Sequence, residues 1–127
     1  FVPLPFVHMA TPIFLQGRAR GGPTFREVLL MHAVGRIAYR GWIDNVQASW
    51  VKCGVVGARQ ILQAGANDLG GTLMDENISR AAGASQGQRM DRRDLELIVE
   101  PLGRPLVQRT TLYGRATTRQ EALSTSG

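Results

Sequence analysis

Two short stretches of this chain are more polar than a structural role requires. In Gln47-Ala48-Ser49-Trp50-Val51-Lys52, Gln47 and Ser49 stand where a purely structural strand would carry Val or Ile. Both side chains can hydrogen-bond a polar heterocycle, and Lys52 can add a cation at the rim. The bland alternative leaves Lys52 solvated, and Trp50 reads as packing. In Gly70-Gly71-Thr72-Leu73-Met74-Asp75-Glu76-Asn77, the glycines allow a ligand or another backbone to come close. Thr72, Asp75, Glu76 and Asn77 gather after them. Adjacent acids point in different directions, so Asp75 and Glu76 do not form an acid/base dyad. The competing reading of this stretch is a tight turn and a cap for a helical turn at 78–80. The candidate ligand contacts are therefore Gln47, Ser49, Lys52, Thr72, Glu76 and Asn77.

Arg18 and His8 come next. Arg18 and Arg20 lie in a glycine-rich loop, where they either clamp an anionic group or are solvated. His8 either lines a pocket or belongs to a plain loop. His32 lies inside a helix and reads as structural, and Cys53 reads as a small apolar filler. No residue set reads as a metal site. Phosphate-binding, dinucleotide-binding, nucleophile-elbow and zinc-protease motifs are all absent.

These residues need a scaffold, and the pattern supplies one by alternation. Residues 1–7 form a short apolar run suited to a buried strand, although Pro3 and Pro5 cannot donate to a ladder. A long loop runs from His8 to Pro23. Thr24-Phe25-Arg26-Glu27 fits a capping box. It opens a helix with Phe25, Val28, Leu29, Val34, Ile37 and Ala38 at helical spacing, and Gly41 stands at its stop. The next strand is 43–51, with Val46, Ala48 and Trp50 on one face. A helix at 55–64 and a strand at 68–74 follow. Asp91 caps a last helix with Leu95, Ile98, Val99 and Leu102 inward, and Gly103 ends it. Residues 106–113 read as a final strand. The fold class is α/β, with parallel strands alternating with helices, either about half of a (β/α)₈ barrel or a small doubly wound sheet. Residues 1–114 form that unit and 115–127 a polar tail.

Composition narrows the partners. The 127 residues are 43% hydrophobic and 20% charged, which fits a globular domain rather than a membrane or disordered chain. No apolar run is long enough to span a bilayer. The formal charge is +5, but the arginines are scattered and Lys52 is the only lysine. A scattered charge gives no electrostatic stripe for nucleic acid, so neither a membrane nor a nucleic-acid partner is expected. A single cysteine excludes an internal disulfide and points to a reducing cytoplasm. The chain opens without Met and within what reads as a strand, so it is expected to be a piece of a longer protein.

Three stretches carry a resemblance: HMATPIFLQGRARGGPTFREVLL, VQASWVKCG and ANDLGGTLMDENISRAAGASQGQ. Together they resemble the carboxyl-terminal region of the radical S-adenosylmethionine enzymes that build the deazaflavin core of coenzyme F420. The likeness covers residues 1–114 and runs closest to the branch acting on tyrosine and 5-amino-6-(D-ribitylamino)uracil. Menaquinone-pathway relatives share the barrel type. The resemblance implies the carboxyl-terminal part of a TIM-type barrel in a cytoplasmic transferase. It also implies a [4Fe-4S] cluster and S-adenosylmethionine in the parent, an amino-terminal barrel half, and a ring-closing partner module. The family's CxxxCxxC motif is absent here. No cluster is therefore expected on cysteine in this piece, which alone is expected to be inactive. A non-catalytic binding module derived from the barrel is the other reading.

Overall fold

A computed structural model describes residues 1–72 and 90–116 of the chain. Its helices are α1 (Pro12–Leu15), α2 (Phe25–Ala38), α3 (Trp50–Gln63) and α4 (Arg92–Val99), with a 3-10 turn at Glu100–Leu102. The boundaries of α2 and α4 follow from local chemistry. Thr24 accepts from the Glu27 amide and Glu27 from the Thr24 amide; Asp91 and Asp94 repeat the exchange. Each box satisfies amides that the first turn would otherwise leave unpaired. Gly103, at φ 64°, ends the last helix in the left-handed region.

α3 starts earlier than its sequence pattern suggests. The amides of Lys52 and Cys53 both donate to the Ser49 carbonyl, so the strand expected at 43–51 ends before Trp50. Gly54 then breaks the turn at φ 71°, ψ 179°, a conformation essentially restricted to glycine. The expected helix at 55–64 is the regular part beyond that break.

The extended segments are real but thinly bonded. Among the described residues none forms a strand of successive bridges; the isolated bridges are Gln47 with Asp68, parallel, and Arg109 with Arg115, antiparallel. Phe1 donates to the Asn45 carbonyl at 2.8 Å and accepts from the Gln47 amide at 2.9 Å. Ala48 donates to Asp68 at 2.8 Å and Asn67 to Val46 at 3.0 Å. Three segments, beginning at residues 1, 45 and 67, thus lie side by side in parallel register. Pro3 has no N–H for the next rung of the first pair, which explains why that pairing stops at Phe1. The strand expected at 106–113 does not form. The chain reverses there through a turn from Thr110 to Gly114, with Tyr113 at φ 63°.

The core sits on one face of these segments. Val46, Ala48 and Trp50 are buried with Ala58, Ile61 and Leu62 of α3 and Leu95, Ile98 and Val99 of α4. α2 contributes Val28 and buried Gly35, whose surface is covered by the Phe1 ring. Val34 and Ile37, expected to face inward, are instead exposed.

A polar latch holds the segments in register. The Asn67 side-chain oxygen accepts from the Val46 amide and from Arg36, both at 2.9 Å. Arg36 also donates to the carbonyls of Gly65 and Asp44, each at 2.7 Å. Replacing Asn67 with Ala should cost about 1–3 kcal/mol, because the Val46 amide and one Arg36 donor lose their acceptor. Asn67→Asp keeps that acceptor but sets a carboxylate oxygen against the Asp44 carbonyl in place of a donor, so it should recover only part of the loss; urea unfolding of both variants checks the pair. The α2 cap should also respond to pH. The Thr24 amide first, and Arg20 second, hold the Glu27 carboxyl below its ordinary value. Its contribution is present above the ordinary carboxylate range and is lost as pH falls through the lowered value. Helicity followed by circular dichroism from pH 6 to 2 should show that acid-dependent loss in the wild type, and Glu27→Gln should remove that component.

Candidate functional site

Val46 and Ala48 pack into the core, and Gln47 between them turns instead to a surface that it shares with Asp68 and Gly70. There the segment 67–72 and the reversed segment 105–115 enclose an open cleft of about 990 Å³. Gln47, Asp68, Thr72, Arg109 and Tyr113 line it, with Leu95 and Val99 as apolar floor.

An ion pair closes one side. Asp68 is buried and takes Arg109 on both carboxylate oxygens: Nε on Oδ2, and Nη2 on Oδ1 at 3.1 Å. Oδ1 also accepts from the Gly70 amide at 2.6 Å. The Arg109 guanidinium lies over the Tyr113 ring, 4.3 Å from its centroid, and donates to the Thr110 carbonyl. Its hydrogen bond to Asp68 raises the Arg109 pKa further, against the opposing effect of burial. The guanidinium therefore keeps its charge at any working pH, and a forked guanidinium on a carboxylate is geometrically strict. It fixes the turn that walls the cleft.

Glycine makes the room. Gly70 has φ +75°, and a Cβ there would stand 2.7 Å from the Gln47 amide nitrogen. Any side chain at 70 would strain the backbone and press on Gln47. Beside it the Trp50 indole N–H donates to the Gly71 carbonyl at 3.1 Å, so Trp50 packs, as its pattern suggested.

The structure brings Gln47 and Thr72 to the same cleft. It places the other candidates differently. Ser49 is the residue before α3, and its hydroxyl makes no capping bond. Lys52 lies half-buried in the first turn of α3, outside the cleft lining. Arg18 is exposed in the loop after α1. His8 organises the 8–22 loop: its Nδ1 accepts from the Gly22 amide at 2.7 Å, and its ring stands edge-on to Phe14 at 4.5 Å. Glu76 and Asn77 lie outside the described residues. Asp68, Arg109 and Tyr113 had no signal of their own in the sequence. A carboxylate at the start of an otherwise apolar segment, two residues before a Gly-Gly pair, was the one available clue.

An amide, a hydroxyl, a neutralised ion pair and a phenol ring make a hydrogen-bonding surface with an aromatic patch. They suit a polar, hydroxylated or amide-bearing heterocycle. The set does not fit an iron–sulfur cluster. Cluster ligation needs several thiolates, and Cys53 is the sole cysteine. Its thiol is half-buried and pushed up to about 11 by that burial. Among the described residues, no three His, Cys, Asp or Glu side chains gather as metal ligands.

Comparison with known proteins decides the family. The model for the "CofH/MqnC C-terminal region" matches residues 1–117. The chain belongs to this family. Within the CofH/MqnC family, it is 54% identical over 119 residues to the FO synthase of Nocardia farcinica, covering 94% of this chain and 14% of that protein. It is 49% identical over 127 residues to the FO synthase of Streptomyces avermitilis, covering 99% of this chain and 15% of that one. It is 52% identical over 113 residues to the 5-amino-6-(D-ribitylamino)uracil–L-tyrosine 4-hydroxyphenyl transferase of Methanopyrus kandleri, covering 89% of this chain and 31% of that enzyme. The chain therefore spans less than a third of the length of each of these relatives. No solved structure matches.

Cys53 should be chemically quiet. With its pKa near 11 rather than the ordinary 9.0, the thiolate fraction at pH 8 falls on the order of a hundredfold. Alkylation by iodoacetamide at pH 8 should be slower than that of an unfolded control by about that factor.

Proposed function

We propose that this chain is the substrate-side piece of a radical S-adenosylmethionine transferase. The parent joins a tyrosine-derived 4-hydroxybenzyl group to 5-amino-6-(D-ribitylamino)uracil on the way to the deazaflavin of coenzyme F420. The observation that carries the proposal is 52% identity, over 89% of the chain, to a transferase named for those substrates. Residues 1–114 would be the carboxyl-terminal portion of its TIM-type barrel and 115–127 a polar tail. Parallel register of the three extended segments, with helices packed on one face, supports that architecture. The FO synthases and the transferase among the relatives favour the deazaflavin branch over menaquinone-pathway relatives.

The division of labour follows from the residues. The cluster and S-adenosylmethionine belong to the upstream region of the parent, since this chain has one cysteine and that one is not acidic. This chain binds and orients. The Gln47 amide offers both a donor and an acceptor, the complement of a uracil edge. Thr72 serves ribityl hydroxyls, and the Asp68–Arg109 pair holds the wall against which they lie. Glu76 and Asn77 extend that set. The ring-closing module and the amino-terminal barrel half are the protein partners, and the cytoplasm is the setting. No described helix is long and apolar enough to cross a membrane.

The test is a chimera. Residues 1–117 of this chain replace the matching region of the Methanopyrus kandleri transferase, and product formation is followed by mass spectrometry. The chimera should turn over, and the 127-residue chain alone should give no product. A folded chimera with full cluster content and no activity would overturn the reading. In an active chimera, Gln47→Leu and Glu76→Gln should each lower turnover roughly tenfold or more, about 1.4 kcal/mol in the barrier, with cluster content unchanged. Unchanged kinetics would remove the residue concerned from the site.

A further inference from the structure

A second surface, sharing no lining residue with the cleft, is apolar and is covered by nothing among the described residues. A groove of about 590 Å³ runs between residues 1–5 and α2. Leu4, Leu30, Met31 and Val34 line it and are 65%, 51%, 53% and 58% exposed. Arg20 and Glu27 form an ion pair at its polar rim, 3.3 Å apart. Apolar patches of this kind on a globular protein mark contact surfaces.

Backbone chemistry beside the groove says what kind of contact. Both bonds of Phe1 go to 45–47. Along an extended chain, successive residues turn their N–H and C=O to opposite sides. Phe1, Pro3 and Pro5 therefore face 45–49, while Val2 and Leu4 face outward. Both prolines fall on the inward side, where they cost the inner ladder its donors. The outward side keeps every N–H, and Val2 and Leu4 make no backbone hydrogen bond among the described residues. An edge with its donors intact, beside an apolar groove on the helix layer, is complementary to a strand together with the helix that crosses over from it.

The occupant follows from the comparisons. The family region is carboxyl-terminal by its description, and the chain covers 31% of the Methanopyrus kandleri transferase. More than two thirds of that relative is thus sequence this chain does not contain. Resting on the functional reading above, we propose that the outward edge at Val2 and Leu4 and the adjoining groove on α2 seat an upstream strand–helix unit of the transferase. Its strand would pair with Val2 and Leu4, and its helix would cover Leu30, Met31 and Val34.

Hydrogen exchange on the chimera tests this without reference to turnover. Peptides covering residues 1–6 and 28–35 should exchange about tenfold or more slower in the chimera than in the isolated 127-residue chain. Met31→Glu, at an exposed position, should lower the melting temperature of the chimera and leave that of the isolated chain unchanged. Leu4→Pro removes only an outward donor and should reduce protection at the edge in the chimera alone. Equal exchange in both molecules would overturn the proposal, as would equal destabilisation by Met31→Glu. So would a chimera that fails to fold where the parent transferase folds. Sedimentation of the isolated chain as a dimer protected at the same peptides would assign the groove to a second copy and likewise overturn it. A protected but inactive chimera would leave the docking intact and sink the functional reading instead.

Discussion

The structure depends on one carboxamide. Asn67 offers its side-chain oxygen to the Val46 amide and to Arg36 at once, and its own amide reaches the Asp44 carbonyl. A strand pair with a single bridge has little to set its register, and a slip of one residue would turn every side chain to the other face. The carboxamide replaces the missing rungs. Arg36, brought in by α2, ties the helix layer to the same point. From that register comes the placing of Val46 and Ala48 in the core and of Gln47 beside Gly70.

Legibility in the sequence follows the range of the interaction. The capping boxes at Thr24 and Asp91 span three residues and could be read directly, as could the inward row of α4. The row Val46, Ala48, Trp50 was also visible, because alternation is local. The start of α3 was not. Ser49 precedes it without a side-chain cap, and only the backbone break at Gly54, at φ 71° and ψ 179°, reveals that Trp50 to Cys53 is a separate turn. The wall of the cleft was hidden for the opposite reason. Asp68 and Arg109 are 41 residues apart, and no periodicity relates a carboxylate at a segment start to an arginine in a turn. Val34 and Ile37 have the spacing of core residues yet stand exposed. Helical periodicity marks a face as apolar without saying which part of a longer chain it meets.

The candidate site divides in the same way. Gln47 was singled out as a polar residue where a structural strand would carry Val or Ile, and Thr72 as one of the polar residues gathered after Gly70-Gly71; they share the cleft. His8 drew notice as a rare histidine after a strand-like run, but its ring nitrogen is engaged by the Gly22 amide. Close approach there needs the glycine, since a Cβ at Gly22 would stand 2.1 Å from the Phe6 carbonyl oxygen. A histidine that staples a loop and one that holds a ligand have the same signature in sequence. Only the geometry of the acceptor separates them.

The two tryptophans of the chain sit in opposite surroundings. Trp42 is 89% exposed, whereas Trp50 is 4% exposed with its indole N–H held by the Gly71 carbonyl. Gly71 and Thr72 border the cleft, so the buried indole is wired to the cleft's rim through one hydrogen bond. Its emission should sit to the blue of its neighbour's and escape aqueous quenchers. The protein thus contains an optical gauge of its own, with one channel reporting solvent and the other reporting whatever shifts the backbone at the edge of the cleft.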